Sequence, residues 1–178
     1  MKLIILDRDG VINHDSDQFI KSPEEWKPIS GSPEAIARLN QWGYHVVVCT
    51  NQSGVGRGLF EMDTLNAIHE KMIRTVRQAG GRIDAIFFCP HTSADGCDCR
   101  KPRAGMLKEL ALRFNVDLVG VPAVGDSLRD LLAAQAVGAQ PMLVLTGKGT
   151  RTRLEAGVPV GTPVFADLAA ATAHLTQS

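Results

Sequence analysis

The sequence predicts an α/β fold: a three-layer, Rossmann-like arrangement with helices on both faces of a central, mainly parallel sheet. Short apolar runs alternate along the chain with longer amphipathic stretches, the pattern typical of βαβ units. Polar groups with possible chemical roles directly follow four of these runs. In open α/β sheets, ligands bind beyond the carboxyl ends of the strands, so these groups mark where a site is expected.

The individual elements follow from this alternation. Five short apolar runs predict strands, at Lys2–Leu6, His45–Thr50, Asp84–Cys89, Gly120–Gly125 and Pro141–Leu145. Amphipathic stretches predict helices that begin after Ser32 as N-cap and at Asp63, Met106, Leu128 and Asp167. The long segment His14–Gly31 lacks periodicity and is too polar for core, so it is predicted to be a loop over one end of the sheet.

Composition narrows the classes of protein. One domain is predicted over residues 1–178. A chain of 178 residues is long enough to form a single hydrophobic core, and the sequence contains neither repeats nor a linker. Nineteen basic and nineteen acidic residues give zero net charge, which argues against binding to nucleic acid or to membrane surfaces. The start of the chain, MKLIILDRDG, is unlike a signal peptide, so a cytoplasmic location is expected. The chain is also expected to be a monomer.

The first strand is followed by DRDG, which places Asp7 and Asp9 two residues apart. This spacing points both side chains to the same side of an extended chain, and Gly10 allows a sharp turn close to a ligand. Two carboxylates there can bind Mg²⁺, or one can attack phosphorus while the other transfers a proton. The alternative is a solvated acidic turn. The spacing does not fit an EF-hand calcium loop.

The second and fourth strands end in further polar groups. TNQSG after the second strand places Thr50 and Asn51 where their donors could bind an anion, with a plain polar turn as the alternative. The glycines that follow fit neither the dinucleotide-binding nor the Walker pattern. After the fourth strand, Asp126 could complete a Mg²⁺ site, and Asp130 could orient a lysine or simply favour a helix N-terminus.

The third strand runs into CPHTSADGCDCRKP, which holds three of the four cysteines. A disulfide, free thiols and a metal site are all open for this stretch. A closed structural Zn²⁺ site needs four ligands, and the stretch offers four, Cys89, His91, Cys97 and Cys99. A reducing compartment favours the metal over a disulfide.

The ordered set of D-x-D-G, T-N, a lysine before a helix, and G-D-x-x-x-D resembles the haloacid dehalogenase (HAD) superfamily of phosphotransferases. The match runs from Leu3 to about Leu145. The cysteine stretch followed by R-K-P resembles the zinc-containing branch, which holds heptose-bisphosphate phosphatases and histidinol-phosphate phosphatases. The segments LDRDGVIN, TNQSG and CDCRKPRAGM resemble the heptose-bisphosphate phosphatases more closely than the histidinol-phosphate phosphatases.

The resemblance implies a mechanism. Asp7 would be the nucleophile that forms an aspartyl-phosphate, and Asp9 would protonate the leaving group and later deprotonate water. Mg²⁺ would be held by Asp7, the backbone carbonyl of Asp9, and Asp126. Thr50 and Lys101 would hold the phosphoryl oxygens, with Asn51 in support. The anionic neighbourhood is expected to raise the pKa of Asp9.

The resemblance also implies the substrate, a small sugar bisphosphate from which the 7-phosphate of a heptose is removed. Arg100 and Lys101 would bind its phosphate ends. The sugar would be contacted by the loop of Asp15, Ser16, Asp17 and Gln18 and by the turn of Asn51, Gln52 and Ser53. No stretch is long enough for a cap domain, and Ser127 stands where some members of the branch carry lysine. Histidinol phosphate, another sugar phosphate, or a non-catalytic zinc-stabilised binding module remain alternatives.

Overall fold

The computed structural model describes residues 1–177, so the last position of the domain predicted over residues 1–178 lies outside the described residues. A six-stranded sheet has the order β3-β2-β1-β4-β5-β6, and every neighbouring pair is parallel. Its strands are β1 Leu3–Leu6, β2 His45–Asn51, β3 Ala85–Cys89, β4 Pro122–Gly125, β5 Gln140–Val144 and β6 Val164–Phe165. The predicted α/β class and parallel sheet are confirmed.

Helices cover both faces of this sheet. They are α1 Ser32–Gln41, α2 Ser53–Gly56, α3 Met62–Gln78, α4 Gly105–Phe114, α5 Leu128–Ala136, α6 Gly149–Thr152 and α7 Leu168–Leu175, with short 3-10 turns at Pro23–Glu25 and Ser93–Asp95. No helix within residues 1–177 is long and apolar enough to cross a membrane.

The alternation of side chains along the strands builds two separate cores. Ile4 and Leu6 of β1 belong to one cluster, which also contains Ile36 of α1 and Met72 of α3. The intervening Leu3 and Ile5 belong to the other cluster, together with residues of α4 and α5. Cys49, expected in the core, is buried in this second cluster.

The strand order places a topological switch at the centre of the sheet. From β1 the chain moves outward to β2 and β3 on one side, and later returns to β4 on the other side of β1. Asp7 follows β1 and Asp126 follows β4, so these carboxylates meet at the switch. This is the position at which open α/β sheets bind their ligands.

The predicted N-cap at Ser32 is wrong by one residue. The helix already includes Ser32, and the N-cap is Gly31, whose φ of +89° is left-handed. The hydroxyl of Ser32 instead donates to the carbonyl of Val11 at 2.8 Å, which ties the start of α1 to the loop after β1. A glycine is needed at this point because L-residues rarely adopt such a φ.

Two further expectations are corrected by the packing. The segment His14–Gly31 contributes to the core, although its composition is polar: Trp26 is fully buried, and Ile20 and Ile29 are buried as well. Lys71 of α3 donates to the carbonyls of Pro23 and Trp26, and these hydrogen bonds attach the segment to α3. Strand β6 was not predicted, because two residues carry no periodicity.

Candidate active site

A pocket of about 250 Å³ opens at the carboxyl end of the sheet. It brings together eleven of the residues predicted as ligands, catalytic groups or substrate contacts. They are Asp7, Asp9, Asp15, Ser16, Asp17, Asn51, Gln52, Ser53, Arg100, Lys101 and Asp126. Most of the residues that line the pocket are charged or polar.

Apart from the four predicted zinc ligands, two predicted residues, Thr50 and Gln18, are not among those that line this pocket. Thr50 is almost fully buried, and its hydroxyl accepts a hydrogen bond from Gln52 Nε2 at 2.9 Å. Gln18 is exposed and lines a neighbouring recess. Thr50 is therefore connected to the pocket through Gln52, and Gln18 lies beside the pocket; their predicted roles stay predictions.

Lys101 connects the nucleophile position to the helix after β4. Its ammonium lies 2.6 Å from Asp130 Oδ1 and 3.2 Å from Asp7 Oδ1, and it donates to the carbonyl of Cys49 at 2.8 Å. Burial acts to lower the pKa of Lys101, but the two carboxylates outweigh burial and raise it. Lys101 thus carries a fixed positive charge beside Asp7, and Asp130 orients that charge.

Asp9 accepts three side-chain hydrogen bonds and has one further close ion-pair contact with Arg8. Its Oδ1 receives Nε of Arg8 at 3.0 Å and Nδ2 of Asn13 at 2.9 Å, and the Nη2 of Arg8 lies 2.9 Å away. Its Oδ2 receives Nε2 of Gln52 at 3.0 Å. Burial acts to raise the pKa of Asp9, but Arg8 and these hydrogen bonds outweigh burial and lower it. The expected upward shift is therefore wrong for the free protein, because the buried guanidinium was not foreseen.

Asp126 is enclosed by backbone. A Cβ atom added at either Gly10 or Gly147 would collide with Oδ2 of Asp126, so both positions require glycine. The same oxygen accepts the backbone N–H of Lys148 at 2.9 Å. The loops after β1 and β5 therefore close on this carboxylate and fix it at the switch point.

The acidic groups here fit a divalent cation. Carboxylate oxygens of Asp7, Asp126 and Asp130 lie within 4.8 Å of one another. Burial, with Asp130 as a neighbour, raises the pKa of Asp7 well above its usual range and that of Asp126 to about 7. Negative charge is thus crowded at this point, and hard oxygen ligands of this kind suit Mg²⁺.

Cys89, His91, Cys97 and Cys99 form a second cluster, in which one ligand atom from each lies within 4.8 Å of the others. Nδ1 of His91 is 3.4 Å from the Cys89 sulfur and 3.3 Å from the Cys99 sulfur, and the Cys97 sulfur is 3.6 Å from each of these two sulfurs. Zinc–sulfur bonds of about 2.3 Å give tetrahedral edges of about 3.8 Å. Four separations approach this value, and the Cys89–Cys99 separation is shorter, 2.7 Å. All four cysteines of the chain are free thiols, so the donor set fits zinc.

The loop of this cluster is joined to the pocket. Asn51 accepts the backbone N–H of Lys101 at 3.0 Å and donates to its carbonyl at 3.1 Å. Gly56 of α2 donates its N–H to the carbonyl of Pro90, and a Cβ at Gly56 would meet that carbonyl. The segment that carries Arg100 and Lys101 is thus fixed at both sides, by the turn after β2 and by the cysteine cluster.

Sequence reasoning missed several basic residues of the site. Arg57, Arg129 and Lys148 line the pocket. Lys148 pairs with Asp15 at 2.6 Å, so Asp15 is bound to a lysine as well as facing the pocket. Arg57 and Arg129 follow the second and fourth strands but are not defining residues of the motifs read there. Lys148 follows the fifth strand, which was not read as part of the site, so only the fold brings these three residues together. Ser127 caps α5, with its hydroxyl and N–H both donating to Asp130.

Comparisons with known proteins give matches over nearly the whole chain. The family model described as HAD-hydrolase-like matches residues 98–171, and that of polynucleotide kinase 3 phosphatase matches residues 2–127. The D-glycero-beta-D-manno-heptose-1,7-bisphosphate 7-phosphatase of Bordetella bronchiseptica is 60% identical over 177 residues, with 99% of each chain covered. The enzyme of that name from Neisseria meningitidis is 57% identical over 167 residues, 93% of this chain and 89% of the relative.

A solved structure is similar over nearly the whole fold. It is the D,D-heptose 1,7-bisphosphate phosphatase of B. bronchiseptica in complex with magnesium and phosphate, with a TM-score of 0.97, 60% identity and 98% of both chains covered. The fold and the carboxylate pocket are those of a HAD-like phosphatase. More narrowly, the chain belongs to the family of D-glycero-beta-D-manno-heptose-1,7-bisphosphate 7-phosphatases. The resemblance drawn from the sequence motifs is confirmed.

Proposed function

We propose that this chain removes the 7-phosphate of D-glycero-β-D-manno-heptose 1,7-bisphosphate by way of an aspartyl-phosphate on Asp7. The placement of Lys101 carries the proposal, because its ammonium lies 3.2 Å from Asp7 Oδ1 in a pocket shared with Asp9 and Asp126. A fixed cation beside a carboxylate nucleophile is what phosphoryl transfer requires. The names of the relatives support the substrate and its β-anomer.

The first step is attack on phosphorus. A carboxylate oxygen of Asp7 forms a bond to the phosphorus of the 7-phosphate, and the bond from phosphorus to the sugar oxygen breaks. Asp9 gives its proton to that leaving oxygen. The free Asp9 has a lowered pKa, but the arriving phosphate adds negative charge beside it and so raises its affinity for a proton.

The second step returns the protein to its starting state. Asp9, now ionised, takes a proton from a water molecule as that water attacks the phosphorus. The bond between phosphorus and Asp7 breaks, and inorganic phosphate leaves. Lys101 remains beside the transferring group in both steps, since Asp130 and the carbonyl of Cys49 hold its ammonium. Neither step requires a cap domain, because loops alone surround the pocket.

Two metals fit the residues. Mg²⁺ would be held by Asp7, Asp126 and the backbone carbonyl of Asp9. When bound, it supplies positive charge that keeps these carboxylates ionised and shields the nucleophile from the anionic substrate. Zn²⁺ would be held by Cys89, His91, Cys97 and Cys99. This set is closed, so its role is to fix the loop and not to take part in the reaction.

The second phosphate would be bound by arginine. Arg57, Arg100 and Arg129 line the pocket, and none of them forms an ion pair with a carboxylate within residues 1–177. Burial lowers the pKa of Arg100, and the charges of Arg129 and Arg57 lower it further. Uncompensated guanidinium groups of this kind favour a dianion. The sugar between the phosphates would contact Ser16, Asp17 and the Asn51–Ser53 turn.

The setting of the enzyme is part of the proposal. We place it in the cytoplasm as a monomer that acts on a small molecule in the formation of lipopolysaccharide precursors, and not on nucleic acid. Three of the four cysteines are proposed zinc ligands and the fourth is buried in the core, a use of cysteine that suits a reducing compartment. Zero net charge gives no general attraction to nucleic acid.

One comparison of substrates tests the function. With Mg²⁺ present, kcat/KM is measured for the β- and α-1,7-bisphosphates of the heptose, for histidinol phosphate, and for an oligonucleotide with a 3′-phosphate. The β-bisphosphate should be preferred by at least about tenfold, since each well-placed contact is worth a factor of that order. Preference for histidinol phosphate or the oligonucleotide would assign the site to another substrate.

A further inference from the structure

Arg8 is the most deeply buried charged group in the described part of the chain. Its side chain has no exposed area, although it lies in the turn after β1 between two carboxylates of the site. Nε and Nη2 approach Asp9 Oδ1, and Nη1 lies 3.1 Å from Nε2 of His69. The guanidinium therefore connects the acid–base carboxylate to a side chain of α3.

The chemistry of this contact fixes the state of His69. A guanidinium has only donors, so Nε2 of His69 must accept and cannot carry a proton. Burial, reinforced by the charge of Arg8, lowers the pKa of His69 to about 3, which agrees with a neutral ring. The ring also lies against Phe88, with centroids 6.2 Å apart. His69 is thus a fixed acceptor on a long helix, outside the pocket.

The two carboxylate oxygens of Asp9 have different hydrogen-bond partners. Oδ1 is bound by Arg8 and by Asn13, both of which are fully buried. Oδ2 receives one hydrogen bond, from Gln52, which itself lines the pocket. The buried side fixes the carboxyl group, and Oδ2 is the oxygen left to exchange a proton with the substrate.

We propose that His69 is a positioning residue for the reaction: it holds the Arg8 guanidinium, which in turn fixes the rotamer of Asp9 so that Oδ2 meets the leaving oxygen. The inference rests on the proposed function, because it assigns Asp9 as the proton donor. His69 contacts neither substrate nor metal, so its loss should act on proton transfer alone. Binding of the phosphates by Lys101 and the arginines should be unaffected.

A positioning role for His69 can be distinguished from general damage to the fold by comparing two phosphate esters with different leaving groups. A sugar alkoxide leaves only with a proton, whereas p-nitrophenolate leaves without one. A misplaced Asp9 should therefore slow phosphoryl transfer from the sugar and leave transfer from p-nitrophenyl phosphate almost unchanged. The ratio kcat/KM reports this step, because it covers events up to the first irreversible one.

The experiment compares His69→Leu with His69→Gln, whose amide oxygen can still accept from Arg8. For His69→Leu we expect kcat/KM to fall at least about tenfold on the heptose bisphosphate and less than about threefold on p-nitrophenyl phosphate, with KM little changed. His69→Gln should recover most of the loss. Equal losses on both esters, or a Gln variant no better than the Leu variant, would overturn the proposal.

Two further variants keep the test decisive. Asp9→Asn gives the full leaving-group effect, and its absence would show that the proposed mechanism, and not the role of His69, is at fault. Should His69→Leu fail to fold, His69→Val removes the same acceptor with a smaller side chain and leaves the contacts between Arg8 and Asp9 in place. It should show the same selective loss on the sugar substrate, and an equal loss on both esters would again count against the proposal.

Discussion

The enclosure of Asp126 by two glycines gives a sharp test of how the acidic site is built. Gly147 has a φ of +57°, and a Cβ there would collide with Oδ2 of Asp126. Gly161 has a similar φ of +81°, but a Cβ there would meet nothing within 4 Å. Gly147→Ala and Gly161→Ala therefore impose the same kind of backbone strain, and only the first pushes on the carboxylate.

The expected sizes of the two effects differ. A left-handed conformation costs an L-residue about 1–2 kcal/mol, so both variants should lose at least that much stability. Gly147→Ala should lose more, because its Cβ would also collide with the Asp126 oxygen and with Cα of Gly10. Carbon makes ordinary contacts at roughly 3.5 Å, which requires the Asp126 oxygen of Gly147→Ala to retreat by about 1 Å. A displacement of about 1 Å in a catalytic site can cost on the order of 100-fold in rate.

Thermal unfolding, kcat/KM on the bisphosphate and the Mg²⁺ concentration for half-maximal activity are measured for both variants. Gly147→Ala should lose about 100-fold in kcat/KM and need more Mg²⁺, whereas Gly161→Ala should stay within about threefold of the parent. If Gly147→Ala kept normal activity at the normal Mg²⁺ concentration, or if Gly161→Ala lost as much, the close fit of Asp126 would not matter for function.

Three other results are expected. Arg100→Ala should lower kcat/KM about 100-fold on the 1,7-bisphosphate but only a few-fold on a 7-monophosphate, because a charge-assisted contact to the second phosphate is worth about 2–3 kcal/mol; equal losses would remove its recognition role. Metal analysis should find about one zinc per chain, and Cys97→Ser should lose it together with thermal stability, whereas a zinc-free protein of full activity and stability would exclude the structural zinc. Stability should fall as pH drops from about 6.5 toward 3, since unfolded His69 binds a proton that the folded ring, with its pKa of about 3, does not. The fall between pH 7.5 and 5 should be smaller in His69→Gln by roughly 2 kcal/mol, and identical pH profiles would contradict the buried neutral ring.

The sequence predicted best those site residues that directly follow a strand. Asp7, Asp9 and Asp126 could be assigned because each follows a recognisable strand, and parallel strands bring their carboxyl ends to one edge. Lys101 could be placed only by its resemblance to a known motif. Its actual partners, Asp7 and Asp130, are distant in sequence and are met only in the folded chain.

Other features depend on tertiary packing that local patterns do not encode. Trp26 lies in a polar stretch, yet it is fully buried because α3 and the 3-10 turn enclose it. Arg57, Arg129 and Lys148 carry no motif and reach the pocket from different helices and loops. Arg8 was likewise not predicted: it is fully buried in the turn after β1, and its contact with His69 of α3 exists only in the folded chain.

The central claim is that Asp7 carries the phosphoryl group during turnover. It is tested by mixing p-nitrophenyl phosphate, whose leaving group needs no proton, with the Asp9→Asn variant, in which hydrolysis of the intermediate should be slow, and stopping the reaction with acid within milliseconds. Mass spectrometry of the digested chain should find one phosphoryl group on Asp7, lost on treatment with hydroxylamine, and none in Asp7→Asn. A protein that releases phosphate while Asp7 never becomes phosphorylated, or an Asp7→Asn variant with near-normal turnover, would contradict the account.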